Sequence, residues 1–239
     1  MKTEYVLKTK VAGLVAGLAL LSPALAGGAE ANWPNWRGAD ENGSTSTGSY
    51  VAAFDNEKNV KWKTELPAKG CSTPIVWKDQ IIITSPSDGN DTLMSFGWDG
   101  KKRWQTTVGG ERAGKHRNGS GSNPSAITDG KLLFAYFKSG NLAGFTLQGK
   151  LLWNTNLQER FARDTLYWDI GTSPVLTAKH VVLAVMHSGE SYLAAFDKRT
   201  GELAWKESRN YQTPVECDHS YATPHVVQYR GREAIVVWG

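Results

Sequence analysis

The chain has 239 residues, 40% hydrophobic and 21% charged, with a formal net charge of +4; this is one large domain or two small ones, long enough to bury a core, and it excludes a disordered chain. Ten tryptophans and 25 glycines favour many short strands joined by tight turns over helices. Lys2, Lys8 and Lys10 set against Glu4 carry half of the net charge, in a segment expected to be removed, so what remains leaves no nucleic-acid footprint.

The first segment reads as an address. A basic stretch, an apolar run from Val11 to Leu21 and Ala24-Leu25-Ala26 make residues 1–26 a signal peptide, cleaved after Ala26, and predict a periplasmic or secreted protein beginning at Gly27. As a helix that run would cover about half of a bilayer core, so no stable membrane anchor is expected. No cysteine stands near the cleavage point to carry a lipid. The two cysteines, Cys71 and Cys217, lie in a compartment that permits disulfides; they are expected as partly buried free thiols, with a bridge between them left open. No Cys and His spacing suits zinc, and no metal is expected.

Periodicity decides the fold. Ser72-Thr73-Pro74, Ser122-Asn123-Pro124, Thr172-Ser173-Pro174 and Tyr221-Ala222-Thr223-Pro224 place a proline every 50 residues. After each proline an apolar run, a turn and a second apolar run predict a hairpin: Ile75–Trp77 with Ile81–Ile83, Ala126-Ile127 with Leu132–Phe134, Val175-Leu176 with Val181–Leu183, and Val226-Val227 with Ala234–Trp238. In the first three units a second hairpin follows, from Leu93–Phe96 through Asp99-Gly100 to Trp104, from Leu142–Phe145 through Gln148-Gly149 to Trp153, and from Leu193–Phe196 through Thr200-Gly201 to Trp205. The acidic stretch Ser87–Asp91 lacks calcium-loop spacing and is read as the turn between second and third strands.

Four antiparallel strands per unit, repeated at a constant step with one tryptophan in a fixed place, are what a β-propeller requires; a β-sandwich would not explain the step. The expected fold class is all-β: a β-propeller of four-stranded antiparallel blades beginning near residues 72, 122, 172 and 222. Trp62, Trp104, Trp153 and Trp205 are expected as core docking residues between neighbouring sheets. Residues 27–61 form an N-terminal segment with a first docking strand, and residues 62–239 a partial propeller.

The run from Ala194 to Trp205, A-A-F-D-K-R-T-G-E-L-A-W, resembles the A-x-D-x-x-T-G-x-x-x-W blade signature of propellers related to pyrroloquinoline quinone (PQQ) enzymes. Asp99–Trp104 and Gln148–Trp153 are degenerate copies. Asn32–Gly38, followed by Asn42-Gly43, is similar to the start of exported bacterial members, and Asn59–Lys63 resembles their first docking strand. The resemblance implies about seven or eight blades in the full protein, so the roughly three and a half here are expected to be its N-terminal part. It also implies two kinds of relative. The quinone-dependent alcohol dehydrogenases hold their cofactor against a pair of adjacent cysteines and bind calcium. The others are scaffold propellers that help to assemble outer-membrane proteins. Adjacent cysteines do not occur here, so no cofactor is expected, with PQQ as the alternative.

Between each docking tryptophan and the next proline lies a polar loop: Gly109–Asn123, Asn156–Thr172 and Glu207–Thr223. Loops set by a rigid scaffold are where binding residues collect. The first holds Arg112, Lys115, His116, Arg117 and Asn118, the second Arg160, Arg163, Asp164, Trp168 and Asp169, the third Glu216, Asp218, His219 and Tyr221. The ligand-binding candidates are His116, Arg117, Asn118, Asp164, Trp168, Asp169, Asp218 and His219; aromatic, His and carboxylate groups together suit a sugar or a peptide. Against these stand plainer roles: hydrogen-bonded loop histidines, and Asp164 and Asp169 capping a helical turn from Leu157 to Arg163. No catalytic constellation is visible. The expected function is an exported, non-catalytic binding or scaffold propeller whose loop face engages a protein or carbohydrate partner; the alternative is a quinone-dependent dehydrogenase or another propeller-borne enzyme whose catalytic residues lie partly in the missing C-terminal half.

Overall fold

The computed structural model describes residues 32–46, 48, 50–214 and 217–239; the expected signal peptide with its cleavage after Ala26, the start at Gly27, and Glu216 lie outside the described residues. The architecture is all-β. The first blade is β1 (Ile75–Trp77), β2 (Gln80–Ser87), β3 (Asn90–Phe96) and β4 (Lys102–Gly110); the second is β5 (Ile127–Thr128), β6 (Leu132–Tyr136), β7 (Asn141–Thr146) and β8 (Leu151–Asn156). One helical turn, α1 (Leu157–Arg160), precedes the third blade: β9 (Val175–Leu176), β10 (His180–Val185), β11 (Tyr192–Asp197) and β12 (Leu203–Ser208). A hairpin of β13 (His225–Tyr229) and β14 (Arg232–Val236) opens a fourth unit. Each four-stranded sheet runs in chain order, antiparallel throughout.

Burial follows from blades stacking on both faces of a sheet. The third strands are wet on neither side: β3 is buried from Asp91 to Phe96 and β7 from Asn141 to Phe145, which is why they read as continuous apolar or small runs rather than alternating ones. The fourth strands alternate between half-buried and exposed positions, as in Leu151–Trp153. Apolar clusters accordingly lie between blades. Phe134, Tyr136 and Leu142 of the second pack with Val181, Leu183 and Phe196 of the third, and Ile75, Ile82 and Leu93 of the first with Leu133, Phe137 and Phe145 of the second.

Local chemistry sets the turns. Asp88 and Gly89 both take positive φ, 51° and 71°, as a two-residue hairpin turn requires, and the acidic stretch is indeed the β2–β3 turn. The pairing between third and fourth strands slips at the same point in all three blades, at Ser95/Phe96, Gly144/Phe145 and Ala195/Phe196, a bulge that adds twist to the outer strand.

Side chains stitch the inner strands across blades. Ser125 Oγ accepts from Thr73 N–H at 2.8 Å, Ser173 Oγ from Ser125 N–H at 3.0 Å, and Thr223 Oγ1 from Ser173 N–H at 3.0 Å. The four hydroxyl residues flank the four periodic prolines, so the repeat marks a ladder of inter-blade bonds. The N-terminal segment crosses the same strands: Trp33 exchanges two backbone bonds with Val76 at 2.8 Å each, and Pro34 O accepts from Thr128 N–H at 3.0 Å.

Three expectations are corrected. Cys71 and Cys217 are free and exposed rather than partly buried, because both stand in loops outside the stacked sheets. The helical turn ends at Arg160, and its cap is Asn156, whose side chain accepts from the N–H groups of Gln158 and Glu159 at 3.0 Å each; Asp164 and Asp169 lie outside that turn and form ion pairs instead. Trp62, Trp104, Trp153 and Trp205 are half-buried rather than full core residues; the last three stand on the outermost strands β4, β8 and β12, whereas Trp62, where a first docking strand was expected, lies outside any strand.

Candidate functional site

Loops 109–123 and 156–172 interlock on one face through two ion pairs with buried carboxylates. Arg112 Nη1 lies 2.5 Å from Asp164 Oδ2 and 2.8 Å from Gln158 Oε1, and the Asp164 side chain is 3% exposed. Lys138, in the β6–β7 turn and 2% exposed at its side chain, pairs with Asp169 and donates to Ala113 O at 2.7 Å. Asp169 also accepts from the N–H of Lys115 at 2.8 and 3.0 Å and of His116 at 3.2 Å. Burial opposes its ionisation, but Lys138 and these N–H groups outweigh that and hold the carboxyl below its ordinary value. Gly119 lies close over the carboxylate, where a Cβ would stand 2.0 Å from Oδ2. Lys115 closes the circuit, its Nζ donating to Leu166 O at 2.5 Å.

What this frame displays is aromatic. The His116 ring meets Trp168 edge to face at 4.9 Å, and Tyr167 meets Trp168 likewise at 4.8 Å. Tyr167 and Trp168 are 60% and 48% exposed. Trp168 N–H donates to the Tyr221 hydroxyl at 3.1 Å, which ties the second loop to the third. Arg117 and Asn118 are exposed beside His116, with Asn118 O accepting from the Cys71 thiol at 3.0 Å. The structure thus gathers His116, Trp168 and Asp169 around one point and turns Asp164 inward onto Arg112.

Asp218 and His219 belong to a separate cluster. His219 Nε2 contacts Ser188 Oγ at 2.9 Å, and Asp218 Oδ1 stands 3.9 Å from the same nitrogen. In a nucleophilic relay the carboxylate orients the histidine through its other nitrogen, so this arrangement does not form one. Lys138, Tyr167 and Ser188 were not among the sequence candidates. Lys138 looks in the sequence like any turn lysine, and nothing local marks it as buried.

Three indoles, Trp62 ahead of the first blade and Trp104 and Trp153 on outer strands, meet turn glycines of the following blade. Trp62 Nε1 donates to Trp98 O at 2.8 Å with its ring against Gly100, and Trp153 Nε1 to Lys198 O at 2.9 Å with its ring against Gly201. Trp104 lies against Gly149, but its N–H turns to Gln80 Oε1 of its own blade at 3.1 Å. Thr64 and Thr106, each two residues past a tryptophan, donate to the carbonyls of Gly100 and Gly149 at 2.7 and 2.5 Å. Trp205 packs on Val175, Val182 and Ala195, as do Val226 and Ile235 of the fourth unit.

At the opposite ends of the inner strands, a cavity of about 330 Å³ lies under the N-terminal segment, with Trp36, Arg37, Leu176 and Pro224 in its walls. Most of its charged groups have partners within the protein: Lys198 with Asp129 at 3.1 Å, Glu233 accepting from Ala178 N–H at 2.8 Å, and His225 3.6 Å from Glu41. Among the described residues no group of three His, Cys, Asp or Glu side chains is placed to hold a metal ion, and no helix is long and apolar enough to cross a membrane.

The repeated four-stranded sheets, with an indole set against a turn glycine of the next blade, define a PQQ-like propeller-repeat protein. The family described as outer membrane protein assembly factor BamB matches residues 41–228, and the chain belongs to that family. No curated protein sequence matches. Among solved structures, the chain is similar to BamB from Moraxella catarrhalis, at 18% identity and a TM-score of 0.43, over 61% of this chain and 41% of that one. A quinohemoprotein alcohol dehydrogenase from Comamonas testosteroni is similar at 17% identity and a TM-score of 0.46, over 57% of this chain and 20% of that one. A europium-containing methanol dehydrogenase is similar at 13% identity and 0.43, over 59% and 25%. The matched region thus spans less than half the length of each of these proteins.

Proposed function

We propose that this chain is part of an exported, non-catalytic scaffold propeller whose loop face engages a protein partner in the assembly of outer-membrane proteins. The observation that carries this reading is the contrast within the loop face. Arg112, Lys138, Asp164 and Asp169 are consumed in holding the loops together, whereas Tyr167 and Trp168 stand exposed on that rigid frame. Exposed aromatic anchors on a preorganised support are the usual energetic centre of an interface. The family's description supports the assembly role, and the signal peptide expected from the sequence supports the periplasmic setting. A carbohydrate partner is the second form of the same reading, because a Trp168 and Tyr167 platform beside His116 also suits the apolar face of a sugar ring.

Site-specific photo-crosslinking in cells from positions 167 and 168 of the full-length protein tests it, with Lys179 as a control far from the loops. A discrete protein adduct from the loop positions, absent from the control and lost when Trp168→Ala is combined with a probe at 167, is the expected result. Tight binding of PQQ with calcium and turnover of an alcohol with dye reduction would overturn it in favour of the dehydrogenase alternative.

A further inference from the structure

We propose that Asp91 makes the seam between the first and second blades responsive to protons, so that loop 111–123 is held more firmly when this carboxyl is neutral. Asp91 begins the buried part of β3 and is fully buried. Its Oδ2 faces the second blade and accepts from Ser139 Oγ at 2.5 Å and Asn141 Nδ2 at 2.9 Å. Its Oδ1 is buried without a hydrogen-bond partner. A carboxylate left in this state keeps half of its charge unsolvated, whereas a carboxylic acid is far cheaper to bury.

The groups around it offer no positive charge. Asn141 is bonded in turn to Asn156, whose Nδ2 donates to Asn141 Oδ1 at 2.9 Å and to Ser139 O at 3.2 Å. These partners are all neutral. Glu111, at the exit of β4, acts on Asp91 with the same sign. The cations that stand nearby in sequence and fold, Arg112 and Lys138, are committed to Asp164 and Asp169. Burial first, and Glu111 in addition, outweigh the two hydrogen bonds and push the Asp91 carboxyl up to about 6.

The link to the loop is short and runs through backbone pairing. Asp91 pairs with Gly109 across the β3–β4 ladder, and Glu111 N–H donates to Gly89 O at 2.8 Å; loop 111–123, with His116, Arg117 and Asn118, departs from that point. The proton comes from solvent, and the folded chain binds it more tightly than the unfolded chain. Stability therefore rises as pH falls from above 6 towards 4, by on the order of a hundredfold in the folding equilibrium. That this loop belongs to a binding face rests on the loop-face reading; the titration does not, so the two can fail separately.

The test is carboxyl-carbon NMR on the chain labelled at Asp, from pH 4 to 8, with amide exchange of loop 111–123 at pH 5 and 7 after correction for intrinsic rates. We expect one Asp resonance with a midpoint near 6, absent in Asp91→Asn, moved lower in Glu111→Gln and higher in Ser139→Ala. Loop protection should be greater at pH 5 than at pH 7 and independent of pH in Asp91→Asn. If every Asp titrates below about 4.5, the buried-acid assignment is overturned. If the resonance moves as expected but loop protection does not follow it, the coupling is overturned. The wild-type titration and the Glu111→Gln shift decide the matter even where Asp91→Asn fails to fold.

Discussion

Trp153 donates its indole N–H to the carbonyl of Lys198, 45 residues further along, and rests its ring on Gly201. The glycine has φ 72°, and a Cβ added there would stand 2.5 Å from the ring. Turn chemistry within one blade and packing between two blades therefore demand the same residue. Gly201→Ala combines backbone strain with a clash and is expected to cost about 2 to 4 kcal/mol. Chemical denaturation of Gly201→Ala, Trp153→Ala and the double variant measures the coupling: removing the ring should relieve the clash and make the double loss smaller than the sum. Strictly additive losses would show that the two do not act on each other.

Trp153→Ala and Trp205→Ala are each expected to lose about 2 to 4 kcal/mol, somewhat below the range for a fully enclosed aromatic because both rings are half-buried. Trp168→Ala, at an exposed loop position, should change stability by no more than about 0.5 kcal/mol while weakening the loop-face interaction. Equal denaturation midpoints for wild type and Trp205→Ala would remove the docking role from that residue.

Lys138→Met leaves the Asp169 carboxylate buried without its cation and is expected to cost about 3 to 5 kcal/mol. Adding Asp169→Asn should recover part of the loss. The folded-state pKa of Asp169 is lowered, so its contribution is fully present above its ordinary value of 3.8 and disappears as pH falls through the lowered one. Asp91 acts with the opposite sign at higher pH. Thermal midpoints should therefore rise as pH drops from 7 towards 4.5 and fall below about 4. A monotonic decline from pH 7 downwards would contradict the balance of the two groups.

Cys71 and Cys217 are exposed free thiols, so both should react with a thiol reagent in the native chain without prior reduction. Dithiothreitol should leave the melting temperature unchanged. No reactive thiol before reduction and two after it would indicate a bridge.

The framework was legible in the chain because its causes are local. Prolines at 74, 124, 174 and 224 announced the inner strands, and Asp-Gly and Thr-Gly turns the second hairpins, since a turn's φ requirement and a strand's apolar run are written in adjacent residues. The loops were legible as places and not as sites. Asp164 and Asp169 read as caps because only neighbours in sequence were available to them, whereas their partners Arg112 and Lys138 lie 52 and 31 residues away.

Burial of charge was decided by tertiary structure alone. Lys138 and Asp91 have the sequence context of surface turns, and stacking one blade on the next removed them from water. For Lys138 a carboxylate waited on the other side, and the result is a fastened loop. For Asp91 there were only hydroxyl and amide donors for one oxygen and none for the other. The cost of burying a charge depends on what the neighbouring blade presents to it, and a residue's neighbours across a seam are set by the register of the repeat rather than by the residues beside it in the chain.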